Sequence, residues 1–233
     1  MISTRIFLGA VLSATLFAAC GGGGGDSGTV PPPAATNCTP AAAPPAGSTA
    51  PQVTMAISNG AGVSGSIVIT LDQTNTPITV ANFLSYVNAG FYNGTVFHRH
   101  GRNSNLSTFV LQGGGYAAPV TSAARFPAPK ATNAPISLEV GRGLSNVCYS
   151  VAMARTSVLN SATSEFFINT TDNVFLNTSD GGYAVFGNIT TGTALVTAMS
   201  TATCNFSTAN FALSSADCVP EPNLVITSAT RTR

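Results

Sequence analysis

Phe97-His98-Arg99-His100 places the only 2 histidines of the chain on either side of an arginine. Two imidazoles two residues apart can share one face of a strand, which is a start on a metal site. Zinc centres, however, take three or four His, Cys or carboxylate ligands, and no carboxylate cluster stands beside this pair. A Ser-His-Asp hydrolase would have to use one of the same histidines, and there is no Gly-x-Ser-x-Gly elbow to present a serine. Gly113-Gly114-Gly115 lacks the following Lys-Ser or Lys-Thr of a phosphate loop, and a turn accounts for it. No metal and no cofactor is therefore implied. Arg99, between the histidines, is a permanently charged group with several donors in a rigid plane. Taken alone it reads as a surface charge on a strand.

The elements that must position these residues are short. Gln52 to Ser58 and Ser66 to Leu71 are rich in β-formers and predict an opening antiparallel pair. Thr76-Pro77 offers an N-cap and a proline at the first helical position. Val80, Phe83, Leu84 and Val87 then recur at helical spacing up to about Ala89, with Gly90 as the stop. Further strands are predicted at 95–99, 109–112, 149–155, 165–169 and 183–189, separated by Gly, Asn and Asp. A second short helix over 192–199 and a closing strand over 224–227 complete the pattern. Many short strands with two helices predict an all-β-dominated barrel or sandwich.

Composition agrees. In 233 residues there is room for one domain plus targeting and linker segments. Only 7% of residues are charged, with 9 Lys+Arg against 8 Asp+Glu, so no field exists to recruit nucleic acid or acidic substrates. Of the 5 cysteines, Cys38, Cys148, Cys204 and Cys218 form an even set that favours disulfides over metal ligation in an exported chain. Cys204 and Cys218 enclose a loop rich in Ser, Asn and Ala and are paired on that ground, leaving Cys38 with Cys148 by subtraction. Four cysteines allow three connectivities, and sequence does not choose among them.

The fifth cysteine belongs to a different segment. Arg5 precedes an apolar run over 6–19 that is too short to span a bilayer as a mature helix, which reads as a signal peptide over 1–19. Leu16-Phe17-Ala18-Ala19-Cys20 resembles a bacterial lipobox, with Phe17 where leucine is usual, and implies a diacylglyceryl group on Cys20; a plain secreted protein is the alternative. Gly21 rather than aspartate after that cysteine points, by analogy with lipoprotein sorting, to the outer membrane, periplasmic side. Residues 20–51, rich in Gly, Pro and Ala, cannot bury enough apolar surface to fold and read as a tether; 52–233 is the folded domain.

Within that domain the blocks NFLSYVNAGFYNGTVFHRH from Asn82, FVLQGGGY from Phe109, SVAMARTSVLNSATSEFFIN from Ser150, DNVFLN from Asp172 and GYAVFGNI from Gly182 occur in the order found in the cyclophilins, which this chain resembles from Gln52 to its C terminus. The resemblance implies an eight-stranded antiparallel barrel capped by two helices and a peptidyl-prolyl cis-trans isomerase assisting the folding of exported proteins. It implies Arg99 as the catalytic residue, Phe109, Val110, Phe167 and Leu176 around an apolar slot for the proline ring, and Gln112 hydrogen-bonding the substrate backbone. Ala154 and Arg155 fall at the edge of the groove, and Tyr183 falls where many relatives place a rim histidine. The partners expected are proline-containing polypeptides and, through the anchor, a membrane; a monomer is expected. Residues 100–108 form a longer connection than the compact family loop, and Glu165 stands where glutamine is usual. The alternative is a catalytically weak module of the same shape that binds proline peptides.

Overall fold

The computed structural model describes residues 38–121, 127–206 and 216–233; the expected signal peptide and Cys20 lie outside them. Strand β1 (Gln52–Ser58) alternates in burial along its length, with Val53, Met55 and Ile57 turned to the core. It pairs antiparallel with β2 (Ser64–Leu71), whose Ile67, Ile69 and Leu71 do the same. The period of two that predicts a half-buried strand is thus realised in both.

Helix α1 (Pro77–Asn88) begins at the expected proline, but Thr76 does not cap it. The Thr76 hydroxyl donates instead to the Asp72 carbonyl at 2.9 Å. The unsatisfied N–H groups of the first turn go to Glu139, a buried carboxylate from a distant loop. It accepts from the N–H groups of Thr79 at 2.8 Å and Ile78 at 3.3 Å, and from the Thr79 hydroxyl at 2.8 Å. A carboxylate there also complements the positive end of the helix dipole.

The chain continues through β3 (Thr95–Arg102), β4 (Thr108–Ala117), β5 (Ser150–Met153), β6 (Phe166–Asn169), a 3-10 turn (Val174–Asn177), β7 (Val185–Thr191) and helix α2 (Thr193–Ser200). A small hairpin, β8 (Cys204–Phe206) with β9 (Cys218–Pro220), precedes the last strand β10 (Leu224–Arg231). Eight strands in the order β10-β1-β2-β7-β5-β6-β4-β3 close on themselves through a β10–β3 pairing, all antiparallel. This is the expected eight-stranded barrel with two helices. The hairpin, which carries no strand signal long enough to predict, attaches to the outside of β3 where Cys218 pairs with His100.

Strands β3 and β4 run beyond the ends predicted for them, to Arg102 and Ala117. The glycine run read as a turn lies inside β4. At Gly114 the chain has φ +86, and a Cβ would sit 2.9 Å from both the Ser164 carbonyl oxygen and the Tyr92 ring, so the run marks a close approach of backbones within a strand. Residues 100–108 lengthen the β3–β4 hairpin. Its tip is exposed at 103–106 and is tied by the Arg102 Nε donating to the Leu106 carbonyl at 2.8 Å.

One core fills the barrel and receives both helices: Val80, Phe83, Leu84 and Val87 from α1, and Leu195, Val196 and Met199 from α2. At its centre Phe83 is fully buried, with ring centroids of Phe186, Tyr92 and Phe166 at 4.9, 5.4 and 5.7 Å. The described part of the stretch read as a tether, 38–51, has no strand or helix, yet it is fastened to the barrel. Cys38 is disulfide-bonded to Cys148, and the Ala50 carbonyl accepts from Arg233 Nε at 2.7 Å. The second disulfide joins Cys204 to Cys218.

Candidate active site

Strands β4, β5, β6 and β7 divide their side chains between two places. Leu111, Val151, Met153, Phe166, Ile168 and Phe186 enter the barrel core. Their neighbours Val110, Ala152, Ala154, Phe167 and Val185 form a second buried cluster on the outer face of the same strands, completed by Phe109, Leu176 and Tyr183. This cluster floors a pocket lined by Arg99, Phe109, Val110, Gln112, Ala154, Arg155, Phe167, Leu176 and Tyr183. All nine residues expected at the site by resemblance are therefore gathered in one concavity, and none of the residues of the long hairpin tip lines it.

Two β-bulges make the gathering possible. Phe97 pairs with Gly113 and Arg99 with Gln112, so two residues of β3 answer one of β4 at His98. Phe97 can then sit in the barrel core while Arg99, two residues on, sits in the pocket, although strict alternation would place both on one face. Farther along, Gly101 pairs with Val110 and Arg102 with Thr108, leaving Phe109 as the extra residue. Adjacent Phe109 and Val110 thereby join the same apolar cluster.

Arg99 as a residue is 6% exposed, and its guanidinium is held from two sides. Its Nε donates to Asp217 Oδ2 at 2.8 Å and its Nη1 to Gln112 Oε1 at 3.0 Å. Gln112 Nε2 in turn donates to Glu165 Oε2 at 2.7 Å, and His98 Nε2 lies 3.5 Å from the same oxygen. The amide of Gln112, expected to bond the substrate, is thus already aligned by Arg99 and Glu165 and keeps one N–H and one lone pair for another partner. Arg155 lines the pocket, but its guanidinium serves the wall. It donates to the carbonyls of Gly182, Thr156 and Asp180 and lies 4.7 Å from the centre of the Tyr183 ring. Burial raises the pKa of the Tyr183 phenol, and the charge of Arg155 opposes that rise.

Behind the apolar wall, buried asparagines fix the loops. Asn173 donates to the Phe109 carbonyl and to Asn169 Oδ1, both at 2.8 Å. Asn169 bonds Asn146 Oδ1 and the Ser150 hydroxyl, and Asn146 donates to the Tyr183 carbonyl at 3.2 Å. Each of these amides satisfies buried groups that water cannot reach, which is why loops can carry pocket residues here with strand-like precision.

The two histidines go to different surroundings. His98 packs edge-on against Tyr116 at 4.7 Å, while His100 lies with the sulfurs of Cys204 and Cys218, all within 4.8 Å of one another. Those sulfurs are bonded to each other, so the group offers an imidazole alone. Burial, with a smaller contribution from Arg102, lowers the His100 pKa from 6.5 to about 3. The folded chain therefore leaves His100 neutral where the unfolded chain protonates it, and stability should fall as pH drops from 6.5 toward about 3, by up to about 1.4 kcal/mol per unit. The ring-proton signals of His100 should not move between pH 8 and 4; a midpoint near 6 would contradict this.

Asp217 and Glu139, the carboxylates that matter most to the architecture, were not singled out from the sequence. The one signal near Asp217 was the adjacent Cys218, read only as a disulfide partner.

Residues 52–231 match the family described as cyclophilin type peptidyl-prolyl cis-trans isomerase/CLD. The chain is 45% identical over 131 residues to peptidyl-prolyl cis-trans isomerase A of Dickeya dadantii, covering 55% of this chain and 63% of that protein, so it spans less than two thirds of that relative's length. It is 46% identical over 141 residues to peptidyl-prolyl cis-trans isomerase cyp18 of Streptomyces antibioticus, covering 58% of this chain and 78% of that one. A solved cyclophilin type isomerase of Cryptosporidium parvum shares the fold, with a TM-score of 0.58 and 18% identity over 79% of this chain and 98% of its own. A second structure of that protein was determined in the presence of the dipeptide Ala-Pro, with a TM-score of 0.58 and 19% identity over 78% of this chain and 99% of its own.

Proposed function

Since the chain belongs to the cyclophilin-type peptidyl-prolyl cis-trans isomerase family, we propose that it catalyses rotation about X-Pro peptide bonds in proline-containing polypeptides. The observation that carries the reading is a nearly buried arginine, Arg99, beside Gln112 at the side of a pocket whose apolar wall is formed by Phe109, Val110, Phe167 and Leu176. Rotation about a peptide bond faces a barrier of roughly 18 to 20 kcal/mol because amide resonance must be broken. No bond is made or cut. In the twisted state the prolyl nitrogen becomes pyramidal and gains a lone pair, so a donor aimed at that atom bonds the transition state more strongly than the planar ground state. The apolar wall holds the ring while Arg99 supplies that donor, and Gln112 offers its remaining N–H and lone pair to the peptide backbone. Isomerisation of a short Ala-Pro peptide by the purified protein tests this; a folded protein that binds the peptide without accelerating rotation favours the proline-binding module instead.

The same reading places the protein in the bacterial envelope as a monomer, anchored through Cys20 on the periplasmic side and assisting exported chains. Its support is the sequence over 1–20, together with two disulfides that suit an oxidising compartment. A mass spectrum of the mature N-terminal peptide should show acyl chains on Cys20. The unmodified peptide mass would instead favour the secreted form.

A further inference from the structure

The reaction outlined above uses Arg99 but gives no reason for Asp217. This carboxylate is 5% exposed, and each oxygen binds β3: Oδ2 accepts from Arg99 Nε at 2.8 Å and Oδ1 from the Arg102 N–H at 3.2 Å. It comes from outside the barrel, immediately before β9, where the next residue, Cys218, is both disulfide-bonded to Cys204 and paired with His100 on β3. Gln112 holds Nη1, so two of the three guanidinium nitrogens are taken, and among the described residues Nη2 has no acceptor. An unrestrained arginine side chain samples many rotamers, and a donor contributes to catalysis only if it is already aimed when the lone pair develops.

We propose that Asp217 is the positioning residue of Arg99. Its carboxylate sets the plane of the guanidinium so that Nη2 serves the pocket, and the Cys204–Cys218 disulfide clamps the backbone beside it. The role rests on the isomerase reading. It implies that the catalytic geometry depends on an element added to the outside of the barrel, and that reducing this disulfide loosens the arginine without removing it.

The test is a cycle on the full-length protein, following isomerisation of an Ala-Pro peptide. Asp217→Ala is expected to lower kcat about tenfold or more with KM changed less than about threefold, because the apolar slot is untouched. Asp217→Asn, which keeps an acceptor for Nε, should recover most of the loss. In an Arg99→Ala background Asp217→Ala should cost nothing further, whereas a merely structural role would lower the rate in both backgrounds alike. Should Asp217→Ala not fold, Asp217→Glu keeps the charge and displaces it by a methylene, and is expected to lose activity in the same way. The pair Cys204→Ser with Cys218→Ser should shift kcat in the same direction. Full activity in Asp217→Glu and in Asp217→Ala, or an equal loss in the Arg99→Ala background, overturns the role alone. An unmodified protein with no isomerase activity overturns the reading beneath it.

Discussion

Arg99→Ala is expected to slow isomerisation of an Ala-Pro peptide by about a hundredfold or more, the loss that follows removal of one well-aimed transition-state donor. Peptide affinity should change little, since Phe109, Val110, Phe167, Leu176 and Tyr183 still form the slot. The substitution also leaves Asp217 as a buried carboxylate without its ion-pair partner, and breaking a buried pair from one side typically costs about 3 to 5 kcal/mol. Part of any loss could therefore come from unfolding. Arg99→Ala combined with Asp217→Asn removes both charges, and its circular dichroism and rate separate the two effects. A folded double variant with the same hundredfold deficit places the effect on the donor. A variant as fast as the parent protein would show that the pocket alone accelerates rotation.

Phe83→Ala should be the most damaging substitution in the core, at about 4 kcal/mol by urea unfolding. Phe83 projects from α1 into the barrel, fully buried, and meets Phe186, Tyr92 and Phe166 at once. Truncation removes the burial of a ring, leaves a cavity the barrel cannot collapse into, and loses three tilted or edge-on aromatic contacts. A domain of this kind is commonly stable by only 5 to 15 kcal/mol, so the variant would be close to unfolded at 37 °C. Phe83→Leu should cost roughly half as much. Equal midpoints for Phe83→Ala and the parent would mean that α1 does not anchor the core.

How far the sequence reaches is visible in particular residues. The alternation of Val53, Met55 and Ile57, and the helical spacing of Val80, Phe83, Leu84 and Val87 behind Pro77, are local patterns, and the structure reproduces them at almost the same boundaries. The pocket residues became legible through resemblance. Alternation alone misassigns them, because the bulge at His98 separates Arg99 from Phe97 and the bulge at Phe109 joins it to Val110. Three glycines inside a strand read as a turn because the backbones they accommodate, at Val96 and Ser164, come from other segments. Glu139 at the head of α1 gave no sign, being 60 residues from the N–H group it satisfies.

By itself the sequence determined the two helices and most of the strands, since these follow from periodicity within a few tens of residues, while the barrel and the arginine were implied by the resemblance that its ordered motifs carry. Only the tertiary structure decided which way Arg99 points and what holds it. That depends on two bulges in the β3–β4 pairing and on a carboxylate 118 residues away in the chain, brought alongside by a hairpin of two three-residue strands. Contacts at such separation arise from closure of the barrel, where packing and the burial of paired charge outweigh any preference a short stretch of sequence can express.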